Sequence, residues 1–137
     1  VCDMKRICGI AAEKGIKISL ECHNNTLTDD YKSALRLLED VNCENLTMYW
    51  QPNQFKSLEY NLDSAVALAK YVTNVHTFNW DKALRFPLEE GVSVWKKYVG
   101  IINADKSYEH NYLLEFMPHD TPEEMPCECE ALRKILE

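Results

Sequence analysis

Apolar and polar positions along this chain alternate between two periods. Met4, Ile7, Cys8, Ala11 and Ala12 recur at helical spacing, and Gly15 stands where that helix would close. IKISLE, Ile16 to Glu21, is short, apolar and β-branched, so it reads as a strand. Thr28, Asp29 and Asp30 precede Tyr31 as capping residues, and Tyr31, Ala34, Leu35 and Leu38 supply the stripe of a second helix. NLTMYW, Asn45 to Trp50, is a second strand. A third helix begins at Ser57, with Leu58, Leu62, Ala65, Val66 and Ala69 inward. VTNVHTF (Val72 to Phe78) is the third strand, and a less regular helix runs from Gly91 to Asn103. NYLLEFM (Asn111 to Met117) is the fourth strand, followed by a helix from Pro122 to Leu136 with Leu132 and Ile135 buried.

The predicted order is α-β-α-β-α-β-α-β-α, with roughly 25 to 40 residues per βα unit. Near-continuously apolar strands predict a parallel sheet covered on both faces, the α/β class. No linker, low-complexity stretch or second domain interrupts the series, so residues 1–137 read as one unit.

Composition narrows the choice. With 46% apolar and 27% charged residues, the chain reads as soluble and globular. A net charge of −7 argues against a nucleic-acid partner, because phosphate binders usually carry a basic patch. No apolar run approaches the roughly 20 residues of a membrane span. The six cysteines (Cys2, Cys8, Cys22, Cys43, Cys127 and Cys129) are scattered, and no signal peptide is evident. Cys127 and Cys129 lack both the usual zinc spacing and a facing pair. Free thiols in a reducing cytoplasm are therefore expected. The chain opens on Val1 with a helix already in progress, which reads as the interior of a longer protein.

Candidate chemistry lies at the strand ends. Each strand carries a liganding side chain at or near its C-terminal end: Glu21, Gln51, His76 and Glu115. In parallel α/β folds, chemistry gathers at those ends. Two carboxylates with an amide and an imidazole form an oxygen and nitrogen set suited to Mn²⁺, Mg²⁺, Co²⁺ or Zn²⁺. The two glutamates sum to a charge that balances one divalent ion. Glu115 sits deep in apolar sequence, where a lone carboxylate needs a partner.

The segments ISLECHN, YWQPNQ, NVHTFNW with LRFPLEEG, and YLLEFM resemble the C-terminal half of the xylose-isomerase-like TIM-barrel superfamily. That superfamily groups sugar and sugar-phosphate isomerases and epimerases with AP endonuclease 2 domains. The resemblance covers nearly the whole chain from Ile16 onward. It implies that Glu21, Gln51, His76 and Glu115 bind one divalent metal. It also implies that Glu21 and Glu115 carry protons on opposite faces of an enediolate. One position departs from the pattern. Epimerase relatives usually have Asp, then Pro, with a His three residues after the Asp; here Gln51 and Gln54 stand at those places. An amide oxygen can coordinate a cation but brings no charge, so weaker metal binding is expected.

His23, Trp50, Gln54, Trp80 and Arg85 are the candidate substrate-binding residues around that site. His23 can bond a hydroxyl, the Trp rings can line a sugar pocket, and Arg85 matches the Arg of the family's R.PL motif. The function implied is a metal-dependent isomerase or epimerase acting on a sugar or sugar phosphate by proton transfer. The alternative is a metal-free, carbohydrate-binding relative. A DNA-repair endonuclease of the same superfamily needs several metals and a basic face, and four histidines with a charge of −7 speak against it. A complete (β/α)₈ barrel takes about 250 residues. Four strands make half of one, so either further chain or a second copy in a twofold dimer should cover its open edges.

Overall fold

The structure is a computed structural model that describes residues 1–137. Helix α1 (Cys2–Ala12) closes at Gly15, whose φ of 65° lets Ile16 N–H reach the Ala11 carbonyl at 2.9 Å. Strand β1 (Ile18–Glu21) follows. Helix α2 (Tyr31–Val41) starts under the Asp30 carboxylate, which accepts from Ser33 N–H, and ends at left-handed Asn42. Strand β2 (Leu46–Trp50) leads to α3 (Leu58–Leu68), capped by Ser57, and a short 3₁₀ turn (Ala69–Tyr71) feeds β3 (Val72–Thr77). A hairpin of β4 (Trp80–Asp81) and β5 (Leu84–Arg85) precedes α4 (Leu88–Ile102). Strand β6 (Asn111–Leu114) and α5 (Met125–Leu136) complete the chain.

The main sheet has four parallel strands in the order β1-β2-β3-β6. Strand alternation sends Leu46, Met48, Trp50, Val72 and Val75 to one face, where all are buried. Ala34, Leu38 and Val41 of α2, Ala65 and Leu68 of α3, Trp95, Tyr98 and Ile102 of α4, and Ile135 of α5 share their core. Burying each large apolar side chain contributes roughly 1.5–3 kcal/mol. Leu58 and Val66, expected inward on α3, are exposed, and their places are taken by Asn61, Ser64 and Leu68.

The opposite face corrects the expectation of a sheet covered on both sides. It carries a hydrogen-bonded row of small polar groups: Ser19 Oγ to Thr47 Oγ1 (2.5 Å), Thr73 Oγ1 to Thr47 Oγ1 (3.2 Å), Asn74 Nδ2 to Thr73 Oγ1 (3.0 Å) and Asn111 Nδ2 to Asn74 Oδ1 (3.2 Å). A register shift opposite Met48 and Tyr49 brings both Thr73 and Asn74 into this row. Ser and Thr inside apolar runs had masked the pattern.

Two further features were not evident from periodicity. The β4–β5 hairpin turns at Lys82, whose φ is 53°, and its strands are too short to show a period. Helix α4 starts at Leu88 rather than Gly91, because the buried Glu128 carboxylate on α5 accepts the Leu88 N–H (3.1 and 3.3 Å).

Candidate functional site

Parallel strands end on one side of the sheet, so side chains of inward parity at their C-termini converge. Glu21 is the last residue of β1, and Gln51 and Glu115 directly follow β2 and β6. His76 is the penultimate residue of β3. His76 Nδ1 lies 2.7 Å from Gln51 Oε1, 3.2 Å from Glu115 Oε2 and 3.7 Å from Glu21 Oε1. The donor atoms of Glu21, His76 and Glu115 all fall within 4.8 Å of one another. Tyr49 packs on the imidazole with ring centres 5.0 Å apart.

The electrostatics of this cluster are unbalanced. Burial pushes the Glu115 carboxyl above its ordinary value; His76 opposes that rise and Glu21 reinforces it. Glu115 Oε2 is buried with no hydrogen-bond partner, which is costly for a carboxylate oxygen. Burial pushes the neighbouring Cys22 thiol up to about 12, and Glu21 adds to the rise.

The donor set fits a divalent ion. Bond lengths of about 2.1 Å place adjacent ligand atoms about 3 Å apart, and the three contacts of His76 bracket that spacing. Two carboxylates would balance the ion's charge, and the Glu115 oxygen that lacks a hydrogen bond would gain a ligand bond. Glu21, Gln51, His76 and Glu115 are the residues that would hold it.

A cleft of about 280 Å³ opens beside the cluster. Glu21, Gln51 and Glu115 line one part of it, and His23 and Gln54 also line it. Phe55, Phe78, Trp80 and Phe116 supply an aromatic wall. His23 Nδ1 lies 2.9 Å from the Asn24 carbonyl. Trp80 packs edge-to-face on Phe116 at 5.0 Å, and its buried indole N–H has no partner.

Two of the expected substrate-binding residues stand elsewhere. Trp50 is 0% exposed, on the helix side of the sheet; its N–H donates to Ser64 Oγ (3.1 Å) and its ring meets Trp95 and Tyr98. Alternation explains the correction: a residue next to inward Gln51 must point outward. Arg85 does not line the cleft. Its guanidinium lies over Phe116 (4.6 Å) and Trp80 (5.3 Å) and pairs with Asp120. It packs on two rings of the aromatic wall.

Sequence reasoning missed Tyr49, Phe116 and Asp120. Phe116, directly after Glu115, has a φ of 58°, a strained conformation for an aromatic residue. An aromatic residue next to a Glu in an apolar run was the only available signal. It also missed an amide lattice behind the site. Asn53 Nδ2 donates to Asp29 Oδ1 (2.9 Å), and buried Asn61 binds the Asn53 backbone at both N–H (2.8 Å) and C=O (3.1 Å).

No family model matches the chain, and no curated protein matches it. Among solved structures, it is similar to the probable 3-DHS dehydratase AsbF, involved in petrobactin synthesis, from Bacillus anthracis. The TM-score is 0.73 at 22% identity, covering 96% of this chain and 54% of that one. The chain thus spans about half the length of the structure it matches. The likeness shows the fold: four βα units of a TIM barrel.

Proposed function

We propose that this chain carries the metal-binding strand ends of an enzyme that moves protons next to a carbonyl of a sugar or sugar phosphate. The observation that carries the reading is the convergence of Glu21, Gln51, His76 and Glu115, with a buried Glu115 oxygen left without a hydrogen-bond partner. A divalent ion bound there would supply positive charge for an enediolate's oxygens. One glutamate takes the proton from carbon and the other returns one, which gives isomerisation or epimerisation. Trp80 and Phe116 supply a flat apolar wall for a sugar face, and His23 supplies a polar group at the rim. The amide at Gln51, where a charged ligand would bind more strongly, makes the affinity modest.

Dehydration is a second reading, favoured by the description of the similar structure as a dehydratase. It shares the first step: a carboxylate takes the proton beside the carbonyl. The electron pair then expels a hydroxyl from the next carbon, which leaves as water after taking a proton. Only the fate of the pair differs.

Metal analysis and Mn²⁺ titration of the purified full-length protein test the shared premise. Saturable binding of one ion is expected. No binding at millimolar Mn²⁺ would overturn it in favour of a metal-free carbohydrate binder. Incubation with ketose and aldose phosphates in D₂O then separates the two chemistries. Deuterium at the carbon beside the carbonyl in a recovered sugar marks isomerisation or epimerisation, and a new conjugated absorbance marks dehydration.

A further inference from the structure

We infer that Asn53, clasped by Asn61, is a positioning residue that fixes the separation of Gln51 from Glu21; the inference rests on the metal-binding reading of those two side chains. Gln51 and Glu21 belong to different strands, and the last backbone bond between the two segments runs from Cys22 N–H to the Tyr49 carbonyl (3.1 Å), two residues before Gln51. Asn53 supplies a second connection beyond that point. On one side, buried Pro52 links it to Gln51 with a fixed φ. On the other, its Nδ2 donates to Asp29 Oδ1 at 2.9 Å. Asp29 Oδ2 accepts the Asn25 N–H (3.2 Å), and Thr28 Oγ1 donates to the Glu21 carbonyl (2.5 Å). The loop after β1 is therefore pinned where it leaves Glu21, and Asn53 ties that loop to the one leaving Gln51.

Asn53 is itself immobilised. Its Oδ1 accepts the Phe55 N–H (2.9 Å), and its backbone N–H and C=O both engage the side chain of Asn61. Asn61 is 5% exposed on the inward face of α3, where an apolar residue would pack at no polar cost. An amide there is matched to both backbone groups of one residue, and removing it would leave them unpaired. The chain thus spends a core position on holding Asn53. Groups that orient metal ligands typically change metal affinity by about 10–100-fold when removed.

The test compares the full chain with Asn53→Ala, Asp29→Ala and the double variant. Folding is checked by circular dichroism, Mn²⁺ affinity by calorimetry, and the Gln51 side-chain amide by NMR without metal. Each single variant is expected to fold, to weaken Mn²⁺ binding about 10-fold or more, and to shift the Gln51 amide resonance. The double variant should be no worse than the weaker single one, since both cut the same tie. Lower melting temperatures with unchanged Mn²⁺ affinity and an unmoved Gln51 amide would overturn the inference and leave Asn53 a loop brace. If Asn53→Ala does not fold, Asp29→Ala on the loop surface carries the same readouts. If the parent binds no Mn²⁺, the metal reading fails by itself, and the Gln51 resonance alone decides whether Asn53 positions that side chain.

Discussion

Glu115 lies between two demands. Its side chain is 29% exposed, and one oxygen is buried without a hydrogen-bond partner, beside Glu21. Its folded-state pKa is raised, by burial first. A carboxyl with a raised folded pKa contributes stability below its unfolded value of 4.5, and that contribution is lost as pH rises through the folded value. Glu115→Gln, which never ionises, should therefore melt above the parent near pH 7 without metal, and the difference should vanish near pH 4. Mn²⁺ should raise the melting temperature of the parent but not of the variant. An equal gain at both pH values would show that the ionised carboxylate is not what costs stability. This residue was legible from sequence, because a lone Glu in an apolar run demands a partner. Trp50, expected at the site, faces the helices instead, because alternation turns the neighbour of inward Gln51 to the other side of the sheet. Trp50→Phe removes its bond to buried Ser64. A loss of about 1–3 kcal/mol in denaturant unfolding is expected, with Mn²⁺ affinity unchanged; weakened binding would return Trp50 to the site.

At the level of elements, the four main strands and five helices could be read because each is long enough to show a period. The β4–β5 hairpin could not, since two residues per strand carry none. Yet that hairpin carries Trp80, and its Arg85 pairs with Asp120 in the loop after β6. Asp120→Ala should loosen it while the sheet stays intact. Trypsin cleavage after exposed Lys82 is the readout, expected to run faster in the variant; equal rates would mean that aromatic packing and the backbone bonds of Lys82 to Gln54 and Phe86 to Asn79 hold the hairpin without the ion pair. The start of α4 was misplaced for another reason. Its first N–H is satisfied from a distant helix, by Glu128, and no local capping pattern announces that. Glu128→Ala leaves the Leu88 N–H buried and unpaired, so a loss of about 1–3 kcal/mol is expected in denaturant unfolding. A loss near zero would show that water satisfies the helix end.

For the whole molecule, the helix-covered face is finished and the other is not. Strands β1 and β6 each pair on one side only, and the inner face shows a row of hydroxyls and amides with Leu113 41% exposed above it. Unpaired parallel edges are templates for further strands. In the solved barrel that this chain resembles, 46% of the length lies outside the matched part, since 54% is covered. A second copy, related by a twofold axis along the barrel, would place its β1 beside β6 and its β6 beside β1, all parallel. The small polar inner row would then meet its own copy, and hydrogen-bonding groups tolerate that meeting better than a mismatched apolar surface would. We therefore expect the 15.9 kDa chain, produced alone, to sediment at about twice that mass. Lys substituted for Leu113, on the inner face, should return it to monomer. A stable monomer in the parent at micromolar concentration would mean that two copies do not complete this barrel.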